Sequence, residues 1–269
     1  MARDATLEHV GGVSAAVKHA VQRLSARLGY PIVPAWRLEK LEQTEHLDRL
    51  FTRTHIDCVL DVGANIGQFR EFLRLFLGYR GRIVSFEPIR ELYERIEALA
   101  RGDPGWTAHQ LALGEVNSSA TINVFAERTL SSLLDRDEDK LRAMGYSKYL
   151  RETELARTEE VPVRRLDAII DEYVPAAAAR IFLKSDTQGF DMHVVRGATG
   201  CLHRIAALQV ELSIRQVYKG APSYSEALTE LTSLGFEITG MFPVQRDPQL
   251  RVVNFDCVMI NSRVAAPAV

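Results

Sequence analysis

Residues 59–69 read VLDVGANIGQF. An apolar run carrying one acid, Asp61, breaks after Val62 into a turn that holds Gly63 and Gly67. Phe69, Phe72, Leu73 and Phe76 then recur on one helical face. A buried strand, a tight turn and an amphipathic helix open an α/β unit, and ligands of such sheets sit at the turns beyond the strand ends.

The same alternation continues downstream. RIVSFEP (82–88) predicts a second strand stopped by Pro88, and RELYERIEALA (90–100) predicts its helix. WTAHQLALG (106–114) reads as a third strand, with ATINVFA (120–126) a further strand paired beside it. Residues 128–160 are rich in charge and poor in β-branched residues, which predicts a helical or mobile lid-like insertion over one end of the sheet. VPVRRL (161–166) reads as solvated surface. RRLDAIIDEY (164–173) predicts a helix, IFLKSD (181–186) a strand, and FDMHVVRGATGCL (190–202) a helix. ALQVELS (207–213) is the next strand, and SYSEALTELTSLG (223–235) a helix whose end Gly235 marks. FEITGMF and NFDCVMI close the chain as an antiparallel hairpin at the sheet edge. Upstream, Leu38, Leu41, Leu47, Leu50 and Phe51 recur at helical spacing after a break at GYPIVP (29–34). The expectation is a helical segment over 1–55 and a domain over 56–269. Its sheet is mostly parallel, with helices on both faces.

Composition narrows the function. The 269 residues, 46% of them hydrophobic, suit one good-sized core with a small appended segment. A net charge of −2 supplies no clustered basic face for nucleic acid. Cys58, Cys201 and Cys257 match no zinc spacing and no disulfide framework, so they read as buried thiols in a reducing compartment. The first residues show no secretory leader, and no stretch approaches the roughly 18–20 apolar residues of a membrane span. The expectation is a soluble, cytoplasmic protein.

The turn discriminates among ligands. A dinucleotide fingerprint starting at Gly63 needs glycines where Asn65 and Gln68 stand. A phosphate-cradling loop needs Gly-Lys before Ser or Thr, which is absent. What remains, D-x-G-x-x-x-G over 61–67, suits a ligand without phosphates. Gly63 and Gly67 admit an amino-acid moiety, and Asp61 accepts from its ammonium group. Glu87, ending the second strand, stands where a ribose with free hydroxyls is held. An amino acid joined to a nucleoside describes S-adenosylmethionine.

VLDVGANIGQF, SFEP, LALGE, SSLL, LKSDTQGFDMHVVRGA, LQVELS and NFDCVMI, in this order and spacing, resemble the FkbM-type methyltransferases from about Ile56 to Ile260. The resemblance implies a class I (Rossmann-like) methyltransferase fold with a seven-stranded sheet, its last-but-one strand in space antiparallel. It implies S-adenosylmethionine-dependent methyl transfer to a hydroxyl oxygen, often on a sugar of a glycolipid, polysaccharide or polyketide. Asp61, Gly63, Asn65 and Gly67 match the donor loop, with Ala64 and Phe69 beside them. Glu87, next to Pro88, matches the ribose-binding acid. Ala112 and Leu113 match the segment beside the adenine, and Asp186, Gln188 and Gly189 the signature after the fourth strand. Ser185 and Asp191 depart from the family pattern, where KID and GFE are commoner.

Methyl transfer needs an aligned oxygen and an acceptor for one proton. Asp186, ending IFLKSD, is the first candidate: it holds the donor's ammonium, takes the acceptor's proton or ligates a cation. The competing reading makes Asp186 or Thr187 the cap of the next helix. Glu211, ending LQVELS, points at the same rim, and the two acids together suit Mg²⁺, though hydrogen bonding to hydroxyls is the commoner use. His193 and His109 are candidate bases, each with packing as the plainer reading. Lys184 shares a strand face with Asp186. Ser131 and Ser132 either line an acceptor cleft or cap a helix, and Tyr146, Tyr149, Tyr218 and Tyr224 either stack on a pyranose or serve packing and surface, so none is assigned. Competing functions are a nicotinamide-dependent oxidoreductase, which would bind NAD, and a non-catalytic S-adenosylmethionine-binding protein. The acceptor expected is a sugar-containing small molecule or glycolipid.

Overall fold

The computed structural model describes residues 40–143, 154–174 and 180–264. The chain divides into two units, Met1–Glu45 and His46–Val269, and apart from the first turn of the first helix the features below belong to the second. Helix α1 (Leu41–Thr54) leads into β1 (Cys58–Val62), α2 (Gln68–Leu75), β2 (Arg82–Phe86), α3 (Arg90–Ala100) and β3 (Trp106–His109). Then come β4 (Ala112–Leu113), β5 (Ser118–Phe125), α4 (Glu138–Ala143), β6 (Leu155–Arg164) and α5 (Leu166–Tyr173). The chain ends with β7 (Ile181–Ser185), α6 (Asp191–Gly197), β8 (Ile205–Ser213), α7 (Tyr224–Ser233), β9 (Phe236–Arg246) and β10 (Val252–Asn261).

Seven strands form one sheet in the order β3-β2-β1-β7-β8-β10-β9. The pairings from β3 to β8 are parallel, and β10 runs antiparallel to both of its neighbours. Every residue of β1 and β7 is buried, as central strands covered on both faces require. On one face Leu47, Leu50 and Phe51 of α1, Leu73 of α2 and Ile96 of α3 pack on Val59, Ile83, Phe182 and Ala207. On the other, Leu166 and Ile170 of α5, Met192 and Val195 of α6 and Leu231 of α7 pack on Leu60, Val84, Leu183 and Leu208. Side chains such as Leu73 and Phe182, fully out of water, each contribute about 1.5–3 kcal/mol by burial. This is the Rossmann-like α/β architecture the sequence implies. Strand order reverses between β1 and β7, so their carboxyl ends open the crevice where a ligand belongs.

The middle of the chain differs from expectation. WTAHQLALG is two strands: β3 edges the main sheet, and after a break at Gln110–Leu111, β4 joins a second sheet ordered β4-β6-β5. ATINVFA lies in β5, paired antiparallel with β6 and not with β3. Residues 155–160, placed in the helical or mobile insertion, belong to strand β6. Of that ten-residue strand only Val161 and Val163 are buried, so VPVRRL is half core and half surface. A strand wetted on one face carries the charge that, in sequence, looks like a loop. Of the rest of the insertion, α4 and a short 3₁₀ turn (Arg128–Leu130) are described, and 144–153 lie outside the described residues. FDMHVVRGATGCL is α6 followed by a 3₁₀ stretch over Thr199–Arg204. Helix α7 opens on a capping box formed by Ser223 and Glu226. All three cysteines are buried free thiols, and burial pushes each up to about 12. Among the described residues no helix is long and apolar enough to cross a membrane.

Candidate active site

At the crevice, backbone contacts set the turn after β1. The Gly63 and Ala64 N–H groups both donate to the Phe86 carbonyl, at 3.0 and 3.2 Å, and the Asp186 N–H donates to the Val62 carbonyl at 3.0 Å. Gly63 has φ +76°, and a Cβ there would overlap the Asp186 carbonyl oxygen. Gly67 has φ +86°, and its Cβ would stand 3.0 Å from the Trp106 ring. The glycines expected to admit a ligand are thus first demanded by the chain's own packing. Ala64 is 2% exposed and part of the apolar layer. Asn65 completes the turn at φ +50°.

Glu87 fastens that turn to the loop after β2. Its Oε2 accepts from the Asn65 N–H at 2.8 Å and its Oε1 from the Ile89 N–H at 2.9 Å, with Pro88 between. An ionised carboxylate has about four lone-pair sites. Two remain for the vicinal hydroxyls of a ribose, so the group fits a nucleoside. Burial pushes the Glu87 carboxyl up to about 7, opposed by the two backbone hydrogen bonds. Ala112 and Leu113 lie in β4 with 6% and 1% exposure, packed into different apolar clusters. Only their main chain is left to meet an adenine. Phe69 stacks on Phe182, ring centroids 6.3 Å apart, with the Lys184 ammonium 5.3 Å above its ring.

A polar row crosses the buried sheet below the crevice. Trp106 Nε1 donates to Ser85 Oγ at 2.9 Å, and Ser85 Oγ donates to Asp61 Oδ2 at 3.4 Å. Lys184 Nζ lies 3.2 Å from Asp61 Oδ1 and 3.5 Å from Asp186 Oδ2. Burial opposes the charge on Lys184, but Asp61 and Asp186 outweigh it and hold the lysine above its ordinary value. The ammonium that fully buried Asp61 meets is therefore the chain's own. Sequence alternation put Lys184 on this face, and the parallel register of β1 with β7 joins it to Asp61.

Asp186 stands at the end of β7 with its side chain 39% exposed. Its Oδ1 accepts from Gln188 Nε2 at 2.9 Å. Neither it nor Thr187 caps α6: the cap position is Phe190, which makes no side-chain cap bond. Asp191 ties the turn from within the helix, its Oδ1 accepting from the Thr187 N–H at 3.1 Å and from Ser185 Oγ at 2.6 Å. The two departures from the family pattern are thus bonded to each other. Burial raises the Asp191 carboxyl. Half-buried Glu211 faces Asp256 across the β8–β10 pair. Burial first, then Asp186, Asp256 and Asp191, push its carboxyl well above the usual carboxylate range. Among the described residues no group of three or more His, Cys, Asp or Glu side chains converges on a metal-sized site.

Other candidates have partners of their own. His193 Nδ1 lies 3.1 Å from Glu115 Oε1, and its ring stacks on Phe190 at 4.2 Å. His109 packs against Tyr173 at 4.3 Å, and burial lowers its basicity. Ser131 Oγ accepts from the Phe125 N–H at 3.2 Å. Ser132, buried, donates to the Gln188 carbonyl at 2.8 Å and accepts from the Leu134 N–H, so it neither caps a helix nor faces a cleft. Tyr218 is buried, and Tyr224 meets the Phe255 ring edge-on. Tyr146 and Tyr149 lie outside the described residues.

Residues 61–238 match the family model described as the methyltransferase FkbM domain. No curated protein sequence matches the chain significantly. Among solved structures the chain is similar to the methyltransferase FkbM from Methylobacillus flagellatus KT, at 16% identity and a TM-score of 0.43. That likeness covers 76% of this chain and 43% of the other. Aeropyrum pernix fibrillarin with natively bound S-adenosyl-L-methionine is similar at 11% identity and a TM-score of 0.43, over 76% of this chain and 66% of that one. A SAM-dependent methyltransferase from Aquifex aeolicus is similar at 11% identity and a TM-score of 0.40, over 93% and 100% of the two chains.

Proposed function

The chain belongs to the FkbM family of S-adenosylmethionine-dependent methyltransferases, and we propose that it methylates a hydroxyl of a sugar-containing small molecule or glycolipid. The observation that supports the donor site most strongly is Glu87, whose two oxygens bridge the 63–67 turn and the 87–89 loop at the strand-order switch. Bound S-adenosylmethionine supplies a methyl carbon on a sulfonium, already activated for displacement. The protein's share is placement of the hydroxyl and removal of its proton, where orientation alone is worth roughly 7–11 kcal/mol.

Glu87 would hold the ribose hydroxyls, and the main chain of Gly63–Gly67 and of Ala112–Leu113 would hold the rest of the nucleoside. Asp61 is neutralised by Lys184, so Asp186 receives the donor's ammonium on its exposed carboxylate. Glu211 takes the acceptor's proton. Its basicity is raised by burial and by the neighbouring carboxylates of Asp186, Asp256 and Asp191, which makes it a stronger proton acceptor than an ordinary carboxylate. Positive charge beside Asp186 relieves part of that repulsion, so Glu211 ionises more readily when the donor is in place. Methyl transfer to a hydroxyl releases one proton, and Glu211 would be the group that takes it up. Residues 56–269 make up the catalytic domain in this reading, with the described stretch 128–143 helping to keep water from the crevice.

A screen of hydroxylated glycan acceptors with methyl-labelled donor tests the proposal. Label should appear on a sugar oxygen, and Glu211→Gln should lower the transfer rate about 10²–10⁴-fold with donor affinity retained. Label on nitrogen or carbon acceptors alone, or an unimpaired Glu211→Gln enzyme, would remove the assignment.

A further inference from the structure

Asp186 is held from a direction the donor site does not use. Beyond β8, residues 217–219 run antiparallel to 135–137: the Asp137 N–H donates to the Val217 carbonyl at 2.8 Å and the Lys219 N–H to the Asp135 carbonyl at 2.7 Å. Tyr218, between them, is 3% exposed. Its hydroxyl lies 2.7 Å from the Leu130 carbonyl and 3.3 Å from Gln188 Oε1, with one proton to donate to the pair. The same Gln188 amide donates through Nε2 to Asp186 Oδ1 at 2.9 Å.

Gln188 itself is fixed in an unusual conformation. It sits at φ +54°, followed by Gly189 at φ +89°. Ser132 Oγ donates to its carbonyl at 2.8 Å, and a Cβ on Gly189 would meet the Tyr218 ring at 3.1 Å. A non-glycine residue with positive φ persists only where its surroundings over-determine it. Here the surroundings are Ser132 and Tyr218. The amide is oriented with Nε2 toward the carboxylate, because a flipped amide would face Asp186 with a second oxygen, and Tyr218 Oη, anchored at the Leu130 carbonyl, meets Oε1 on the other side.

We propose that Tyr218 is a positioning residue for the donor's amino-acid end: acting through Gln188, its hydroxyl fixes the Asp186 carboxylate against the wall formed by residues 130–137 and 217–219. The inference rests on the donor reading above and adds a residue that neither the sequence motifs nor the donor loop includes. A hydrogen bond that aims a charged acceptor is worth more than a neutral surface bond, because the aimed group meets a cation.

The test uses the full chain and two probes, titrated calorimetrically. S-adenosylhomocysteine carries the ammonium, whereas 5′-methylthioadenosine keeps the adenosine and the sulphur but lacks the amino-acid end. Tyr218→Phe keeps the ring against Gly189 and removes only the hydroxyl. It should weaken S-adenosylhomocysteine about three- to tenfold and leave 5′-methylthioadenosine within about twofold. Gln188→Ala should do the same, by about tenfold or more for the first probe. A purely architectural role for Tyr218 would weaken both probes together, and that result, or no change in either, overturns the inference. If the wild-type chain binds neither probe, the donor reading itself fails, which is a separate outcome.

Discussion

Glu87 couples the donor site to pH. Burial pushes its carboxyl up to about 7, above its ordinary 4.5, and only the ionised form keeps acceptor sites for both backbone N–H groups and both ribose hydroxyls at once. Binding of a nucleoside therefore expels a proton when pH lies below about 7. Donor affinity should be full above that value and fall about tenfold per pH unit well below it. Calorimetry in buffers of different ionisation heat checks this, and a Glu87→Gln variant should lose both the affinity and the proton release. Lys184 makes the complementary case. Lys184→Met leaves Asp61 as an uncompensated buried carboxylate, and the expected cost is about 3–5 kcal/mol in denaturant unfolding. Ser185 and Asp191 belong together in the same way. Ser185→Ala and Asp191→Ala should show a coupling of about 0.5–3 kcal/mol in a double-mutant cycle, because each removes one end of the same buried bond. None of these pairings is visible in the one-dimensional pattern. Asp61 reads as a ligand for the donor's ammonium until the register of β1 against β7 puts Lys184 beside it.

The elements divide by how each one is covered. β1, β2, β7 and β8 were legible because both faces are buried, so each is a short apolar run with an abrupt stop. Helix α3 was legible because Leu92 and Ile96 repeat on one face between charges. β6 was not: with one face wet, Arg157, Thr158, Glu159 and Glu160 hide the two valines that anchor it. The break between β3 and β4 escaped for a different reason, since no proline or glycine marks the Gln110–Leu111 step at which the chain changes sheets. The turns give a sharper test. Gly63→Ala pays for a left-handed conformation, about 1–2 kcal/mol, and adds an overlap with the Asp186 carbonyl. Gly78→Ala has comparable φ, +64°, but open space around it, and should incur the conformational cost alone. Denaturant unfolding should rank the first well below the second, and only the first should also lose donor binding.

For the whole molecule, the strand order 3-2-1-7-8-10-9 converts distant sequence into one rim. The turn at 63–67, Glu87 and Asp186 follow the ends of β1, β2 and β7, and Glu211 lies near the end of the adjoining β8. That juxtaposition followed from the alternation of strands and helices together with the rule that ligands gather at the switch in strand order. The wall beside Asp186 was less legible, because residues 130–137 and 217–219 meet through hydrogen bonds that are long in sequence. The proposed chemistry depends on a phosphate-free nucleoside held by Glu87 at this rim. The most direct measurement is calorimetric titration of the full chain with S-adenosylmethionine and, in parallel, with NAD, repeated on Glu87→Gln. Saturable one-to-one binding of S-adenosylmethionine, none of NAD, and at least about tenfold weaker S-adenosylmethionine binding by the variant is the predicted result. Binding of NAD in preference to S-adenosylmethionine, or wild-type affinity in Glu87→Gln, would contradict it.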